Sequence, residues 1–287
     1  MSTTRAARVA LNVSLAALAL ALAKAGVAWL AGSMAILSSA LDSGGDMLAS
    51  LANFFFLTIA AKPADDDHPF GHGKAEHLAT LLQGAILLTA AITLGYGAVE
   101  RVRHPRPIES GLIGIVAMLA SIAVTIAVTR YLKRNAVDAE SSALAGDALH
   151  YTSDIAANLA TIAALVLVRI TGNPLFDSIF GISVACWIAW NSLYLIWNAG
   201  NDLMDVALPP EEIATIVNAI ERADPSVRSY RNLRTRRAAG VRFIEFELCI
   251  DRHASFEHAH DVTEIVKTAI HTRFPNTVVT VHAEPVD

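Results

Sequence analysis

The apolar positions of this chain fall into long runs before residue 200 and into short alternations after it. A helix needs roughly 20 mainly apolar residues to cross a hydrocarbon core. Six such runs stand at about 9–31, 34–61, 76–100, 109–132, 141–169 and 175–200. The intervals between them are breakers: Gly32-Ser33, the polar stretch Pro63 to Gly73, Arg103 to Pro107, the charged stretch Lys133 to Glu140, and Thr171 to Pro174. After Asp202 the period changes. Pro209-Pro210-Glu211-Glu212 opens a helix to about Ala223, with proline early and acids in the first turn. Val227 to Arg237 and Val241 to Asp251 read as strands. In the second, Phe243, Glu245, Glu247 and Cys249 alternate with Arg242, Ile244, Phe246 and Leu248. Glu257 to Phe274 reads as a helix, and the β-branched run Thr277 to Ala283 as a strand. The pattern predicts an α-helical membrane protein with six transmembrane helices over residues 1–205. A small α+β domain of order αββαβ, ferredoxin-like, follows over residues 206–287.

Composition adds orientation and exclusions. Charged residues make up 17% of the 287 residues, and the mean hydropathy is +0.45. Soluble domains carry about a quarter charged residues, so the deficit belongs to the apolar spans. Six spans put both termini on one side. The connections on that side hold Arg5, Arg8, Lys62, Lys74, Arg130, Lys133 and Arg134, against Arg101, Arg103, Arg106 and Arg169 opposite. That bias favours cytoplasmic termini and a cytoplasmic tail. A net charge of −5 without a basic stripe argues against nucleic acid as a partner. Cys186 and Cys249 fit no disulfide framework or CxxC pattern and read as small apolar side chains. The run from Val9 to Leu30 is too long for a signal-peptide core and carries Lys24, so no cleavable leader is expected.

The chemistry lies in residues that lipid should exclude. Asp42, Asp46, His150 and Asp154 stand inside apolar runs. An ionised side chain at mid-membrane costs at least ~2.5 kcal/mol on insertion scales, so each needs a partner or a role. Asp42 and Asp46 are four apart in the second span, and His150 and Asp154 are four apart in the fifth. Residues at i and i+4 share a helix face. Two such faces turned together offer one imidazole and three carboxylates, a four-ligand set for a tetrahedral metal ion. Lys24, Asp147 and Asp177 fall near span ends, where water is within reach. The segment 65–72 is a second candidate, with Asp65, His68 and His72 supplying one carboxylate and two imidazoles; a solvated polar loop would carry the same residues.

Three segments resemble a known family in the right order. Ser38-Ser39-Ala40-Leu41-Asp42-Ser43-Gly44-Gly45-Asp46 resembles the second-helix motif of the cation diffusion facilitators. His150-Tyr151-Thr152-Ser153-Asp154 resembles their fifth-helix motif, and Asp65-Asp66-Asp67-His68-Pro69-Phe70-Gly71-His72-Gly73-Lys74 the loop between their second and third helices. The likeness covers nearly the whole chain and is strongest to bacterial zinc- and iron-handling members. It implies a multi-pass protein of the bacterial inner membrane, working as a homodimer with paired cytoplasmic tails, that exports a divalent cation in exchange for protons. The implied cargo is Zn2+, with Fe2+, Cd2+ and Co2+ as alternatives, and the metal is also implied as a regulatory ligand of the tail. The transport site implied is Asp42, Asp46, His150 and Asp154, and the loop site is Asp65, His68 and His72. The resemblance also implies an ion pair between Lys74 and Asp205 that locks the dimer at the membrane surface. In the tail it points to His260, His282 and Glu284 as metal ligands, while Arg231 and Glu247 stand where zinc-type members carry histidine. Arginine cannot ligate a cation, so the expected tail site is weaker or holds fewer ions.

The ligand chemistry agrees with proton exchange. A bound metal requires a neutral imidazole, so loading expels protons and protonation expels metal. A membrane-embedded metal sensor or assembly partner would keep the loop and tail sites without needing the buried quartet. An intramembrane metalloprotease would want HExxH, which does not occur here. No enzymatic activity is expected.

Overall fold

The computed structural model describes the backbone of residues 2–31, 34–103, 112–173, 175–238 and 240–286. Side chains are described throughout these segments except at positions 2, 3, 27, 28, 30, 31, 34–39, 42, 112–118, 120, 121 and 165. The expected turns at Gly32-Ser33 and Pro107 lie outside the described residues.

The chain divides into two compact units, Met1–Gly200 and Asn201–Asp287. The first is built from long helices: α1 (Ser2–Ala31), α2 (Met34–Ala60), α3 (Ala75–Arg103), α4 (Leu112–Ala139), α5 (Ser142–Thr171) and α6 (Leu175–Leu203). Among the described residues, Thr4–Gly26, Ala75–Arg103, Ser142–Thr171 and Leu175–Leu203 are long and apolar enough to cross a membrane. Large apolar side chains such as Trp190 and Trp197 of α6 are exposed, which suits a surface bathed in lipid. The core between α1, α2, α4 and α5 is rich in alanine: Ala6, Ala10, Ala136 and Ala143 pack with Leu57, Leu132 and Leu144. Small side chains let helix backbones approach, the main source of packing where lipid offers no hydrophobic drive. Gly84 does the same between α3 and α6, where an added Cβ would sit 2.6 Å from Cγ1 of Ile196.

The charged stretch read as a break after residue 132 is helical. α4 continues to Ala139 and turns only at Glu140, which has φ of 49°. Charge ends a membrane span but not a helix, and Lys, Arg and Ala favour continuation. The extension is tied to α1 by Arg5, whose guanidinium reaches Oδ1 of Asn135 at 3.2 Å and Oδ2 of Asp138 at 3.0 Å. α5 begins cleanly: the Ser141 hydroxyl accepts from the N–H of Leu144 at 3.3 Å. It ends on Gly172, in the left-handed region at φ 74°.

The second unit is α+β, in the predicted order: α7 (Pro210–Glu221), β1 (Val227–Ala238), β2 (Val241–Asp251), α8 (Phe256–Arg273) and β3 (Thr277–Val286). β2 is central, antiparallel to β1 and parallel to β3. The parallel pair is joined by the α8 crossover, as a parallel pairing requires. Ile244, Phe246, Leu248 and Ile250 of β2 turn to the helices and pack with Ile216, Ile220, Val262, Val266 and Ile270. The alternate residues Glu245 and Glu247 face away. β1 carries a bulge that alternation did not reveal. Its register slips between Arg231 and Arg234, and Asn232 takes φ 51° while its amide donates to Glu247 at 2.7 Å.

Candidate metal centre

α2 and α5 each bring ligands to a common level of the first unit. His150 lies in the third turn of α5 and is 9% exposed. Its Nε2 stands 2.9 Å from Oδ1 of Asp46 on α2 and 3.8 Å from Oδ2 of Asp154 one turn on. One donor atom from each of the three falls within 4.8 Å of the others. The backbone of Asp42 lies one turn before Asp46 in α2; its side chain lies outside the described residues. Two facing carboxylates and an imidazole at this spacing offer oxygen and nitrogen ligands to one divalent ion.

Below the triad, toward the end of the unit where α2 leaves and α5 enters, is a buried polar layer. Asp147 was expected near water, yet it is fully buried. The Ser50 hydroxyl lies 3.2 Å from each Asp147 carboxylate oxygen and 3.3 Å from the Tyr151 hydroxyl. Asp147 precedes His150 by three and shares its face, which was the available signal; its partner 97 positions away was not. Asp177, also expected near a span end, pairs with Arg101. Lys24 is half-buried and donates to Ser43 Oγ at 2.8 Å.

The loop triad forms from local geometry. The His68 N–H donates to Oδ1 of Asp65 at 2.7 Å, closing a three-residue turn. Gly71, at φ 79°, donates its N–H to the His68 carbonyl at 2.9 Å and reverses the chain. This folds His72 back, so that its Nε2 lies 3.5 Å from Oδ2 of Asp65 and its ring 4.3 Å from that of His68. The three donor atoms lie within 4.8 Å of one another. The His68 backbone N–H holds the Asp65 carboxyl below its ordinary range, and hydrogen bonding and charge from the two imidazoles act the same way. The carboxylate is thereby kept ready as an anionic ligand.

The tail residues are arranged differently. His282 Nε2 lies 3.2 Å from Oε1 of Glu284 on the same face of β3. Glu247 pairs in register with His282 on one side and with Arg231 on the other. His260 stands exposed on α8 and does not close a triad with His282 and Glu284 within the chain. Asp205 takes φ 60° and its carboxylate is 3.5 Å from Arg236. Lys74 immediately precedes α3.

Comparison with known proteins matches these two units separately. Residues 10–204 fit the model of a cation efflux transmembrane domain, and residues 208–286 that of a cation efflux protein's cytoplasmic domain. The cation-efflux pump FieF of Cronobacter sakazakii is 34% identical over 278 residues, 97% of this chain and 92% of the pump. FieF of Shewanella oneidensis is 36% identical over 261 residues, 91% of this chain and 88% of that one. An uncharacterized transporter of a Synechocystis strain is 34% identical over 95% of this chain and 88% of its own. A solved chain of CzrB aligns at 30% identity with 28% of this chain and all of its own, with a TM-score of 0.27.

Proposed function

Because this chain belongs to the cation diffusion facilitator family of multi-pass membrane proteins that export divalent metal cations, we propose that it moves zinc out of the cytoplasm in exchange for protons. The path runs through Asp42, Asp46, His150 and Asp154. The convergence of Asp46, His150 and Asp154 inside apolar helices supports this reading above all. Each ionised group there is costly unless it is paired or put to use, and together they form a ligand set. An ion seated among them must displace protons from the same atoms, so one site can carry both fluxes if it faces each side in turn. Iron(II), cadmium and cobalt accept the same nitrogen and oxygen ligands and are alternative cargoes.

In this reading the protein crosses the bacterial inner membrane six times, with both termini in the cytoplasm. Residues 1–205 are the transport domain; residues 206–287 form a cytoplasmic metal-binding and dimerisation domain. Asp65, His68 and His72 form a second metal site on the cytoplasmic side. Pairing of Lys74 with Asp205 is proposed as the lock of a homodimer. Because His260 closes no triad with His282 and Glu284 within one chain, a regulatory tail site would need a rearrangement or the second copy to be completed. In the sheet Arg231 stands across Glu247 from His282, and its positive charge would weaken cation binding there.

The test is zinc flux in proteoliposomes under an imposed pH gradient. Zinc should accumulate on the acidic side, and reversing the gradient should reverse the flux. Flux indifferent to the gradient would remove proton exchange from the account. A protein that binds zinc but never moves it would point to a sensor.

A further inference from the structure

The end of the first unit away from the Asp65–His72 segment brings a lysine toward the triad. Lys24 lies on α1, seven residues before the helix end at Ala31, roughly 10 Å of helix at 1.5 Å per residue. Its ammonium donates to the Ser43 hydroxyl of α2 at 2.8 Å, and Ser43 is only 3% exposed. Ser43 follows Asp42 directly and precedes Asp46 by three. It therefore shares a helix face with Asp46 and sits within one turn of it, about 4.5 Å along the axis. The ammonium is thus held at the level of the ligands, on the α1 side of α2, while His150 and Asp154 approach from α5. Asp147, a second ionisable residue beside the triad, lies toward the loop end, on the other side of the ligands from Lys24.

We propose that Lys24 is a specificity-determining residue, a tethered cation that competes with the transported ion for the carboxylates of the membrane site and promotes its release. The proposal rests on the reading of Asp42, Asp46, His150 and Asp154 as the transport site. A divalent ion among carboxylates in surroundings poor in water is bound tightly, and a transporter must let it go. A neighbouring ammonium repels a bound divalent ion twice as strongly as it repels a single bound proton, because the energy scales with the product of the charges. It also supplies a counter-charge to the carboxylates once the ion has left. Both effects tilt the exchange toward the proton-loaded site. A lysine stem is long and flexible, so small shifts of α1 against α2 can move its charge without breaking the packing.

The experiment uses the full-length protein in nanodiscs, with Zn2+ itself as the probe of affinity, and in proteoliposomes for KM and kcat. Lys24→Met removes the charge and keeps the stem. Lys24→Gln also keeps a donor for Ser43, and serves if the methionine variant does not insert. Either should bind zinc roughly tenfold more tightly, the scale of one partly screened charge pair. KM and kcat should fall together, the signature of a ground state held too firmly. Lys24→Arg should recover most of that shift. Ser43→Ala, which leaves the ammonium in place, should change affinity by no more than about threefold. If Lys24→Met and Lys24→Gln leave affinity, KM and kcat within about twofold of wild type, the proposal fails. It fails equally if Ser43→Ala reproduces their effect in full, because the lysine would then only tie α1 to α2. Asp46→Ala separates the two levels of argument. Lost zinc flux there with unaltered Lys24 variants overturns this inference alone, whereas retained flux there overturns the transport site itself.

Discussion

Two ligand triads of similar chemistry occur in this chain under opposite conditions. The loop triad draws Asp65, His68 and His72 from one exposed segment, and hydrogen bonds within that segment arrange it. The membrane triad joins Asp46 to His150 across 104 positions, and only the packing of α2 against α5 arranges it. A local set keeps its shape when the rest of the protein moves. A set divided between two helices changes shape whenever the helices do, which is what a site that alternates its access requires. Burial sharpens the contrast. The loop triad is open to water, whereas the membrane triad lies inside apolar helices with His150 buried.

The largest effects should come from breaking the membrane set. His150→Ala should lower zinc flux at least a hundredfold with the protein still folded, because it removes a ligand and leaves carboxylates without their counter-group. His150→Asp should keep transport but shift preference toward manganese, which favours oxygen ligands. Competition between the two metals in one flux assay measures this. Breaking the loop set should cost much less: His68→Ala with His72→Ala should lower zinc flux by about tenfold or less while His150 is intact.

The pH response of the loop follows from the sign of its carboxylate shift. The Asp65 carboxyl is held below its ordinary range, so its contribution to the turn is present above that ordinary value and lost only as pH falls through the lowered one. Between about pH 8 and pH 5 Asp65 therefore stays ionised. Carbon-13 chemical shifts of the Asp65 carboxyl across that range should stay flat; a titration step within it would contradict the turn geometry. The smallest effect belongs to the tail. Arg242 donates to Glu212 at 2.7 Å in a half-buried bridge, and this guanidinium holds the Glu212 carboxyl below its usual range. Glu212→Gln should loosen the α7–β2 contact by about 1–2 kcal/mol, read as faster amide exchange in those elements. In the wild type the same loosening should appear only in acid, as pH falls through the lowered value.

The contrast also marks what the sequence made legible. Helices and strands were readable because run length and period are local properties, and so is the i,i+4 spacing that puts His150 and Asp154 on one face of α5. The bulge at Asn232 was not, since it depends on a hydrogen bond to the neighbouring strand. Asp147 was misplaced for a related reason. Its position five residues into α5 suggests water, but Ser50 of α2 covers it, and a partner 97 positions away leaves no local trace. The continuation of α4 to Ala139 was hidden because charge was read as the end of a helix when it was only the end of an apolar span.

The central claim is that the buried set, and not the loop, carries the ion across the membrane. The most direct measurement compares zinc flux through Asp46→Ala and Asp65→Ala, reconstituted in equal amounts of folded protein under the same pH gradient. The account predicts no flux above empty vesicles for Asp46→Ala and residual, gradient-driven flux for Asp65→Ala. Wild-type flux through Asp46→Ala, or loss confined to Asp65→Ala, would contradict it.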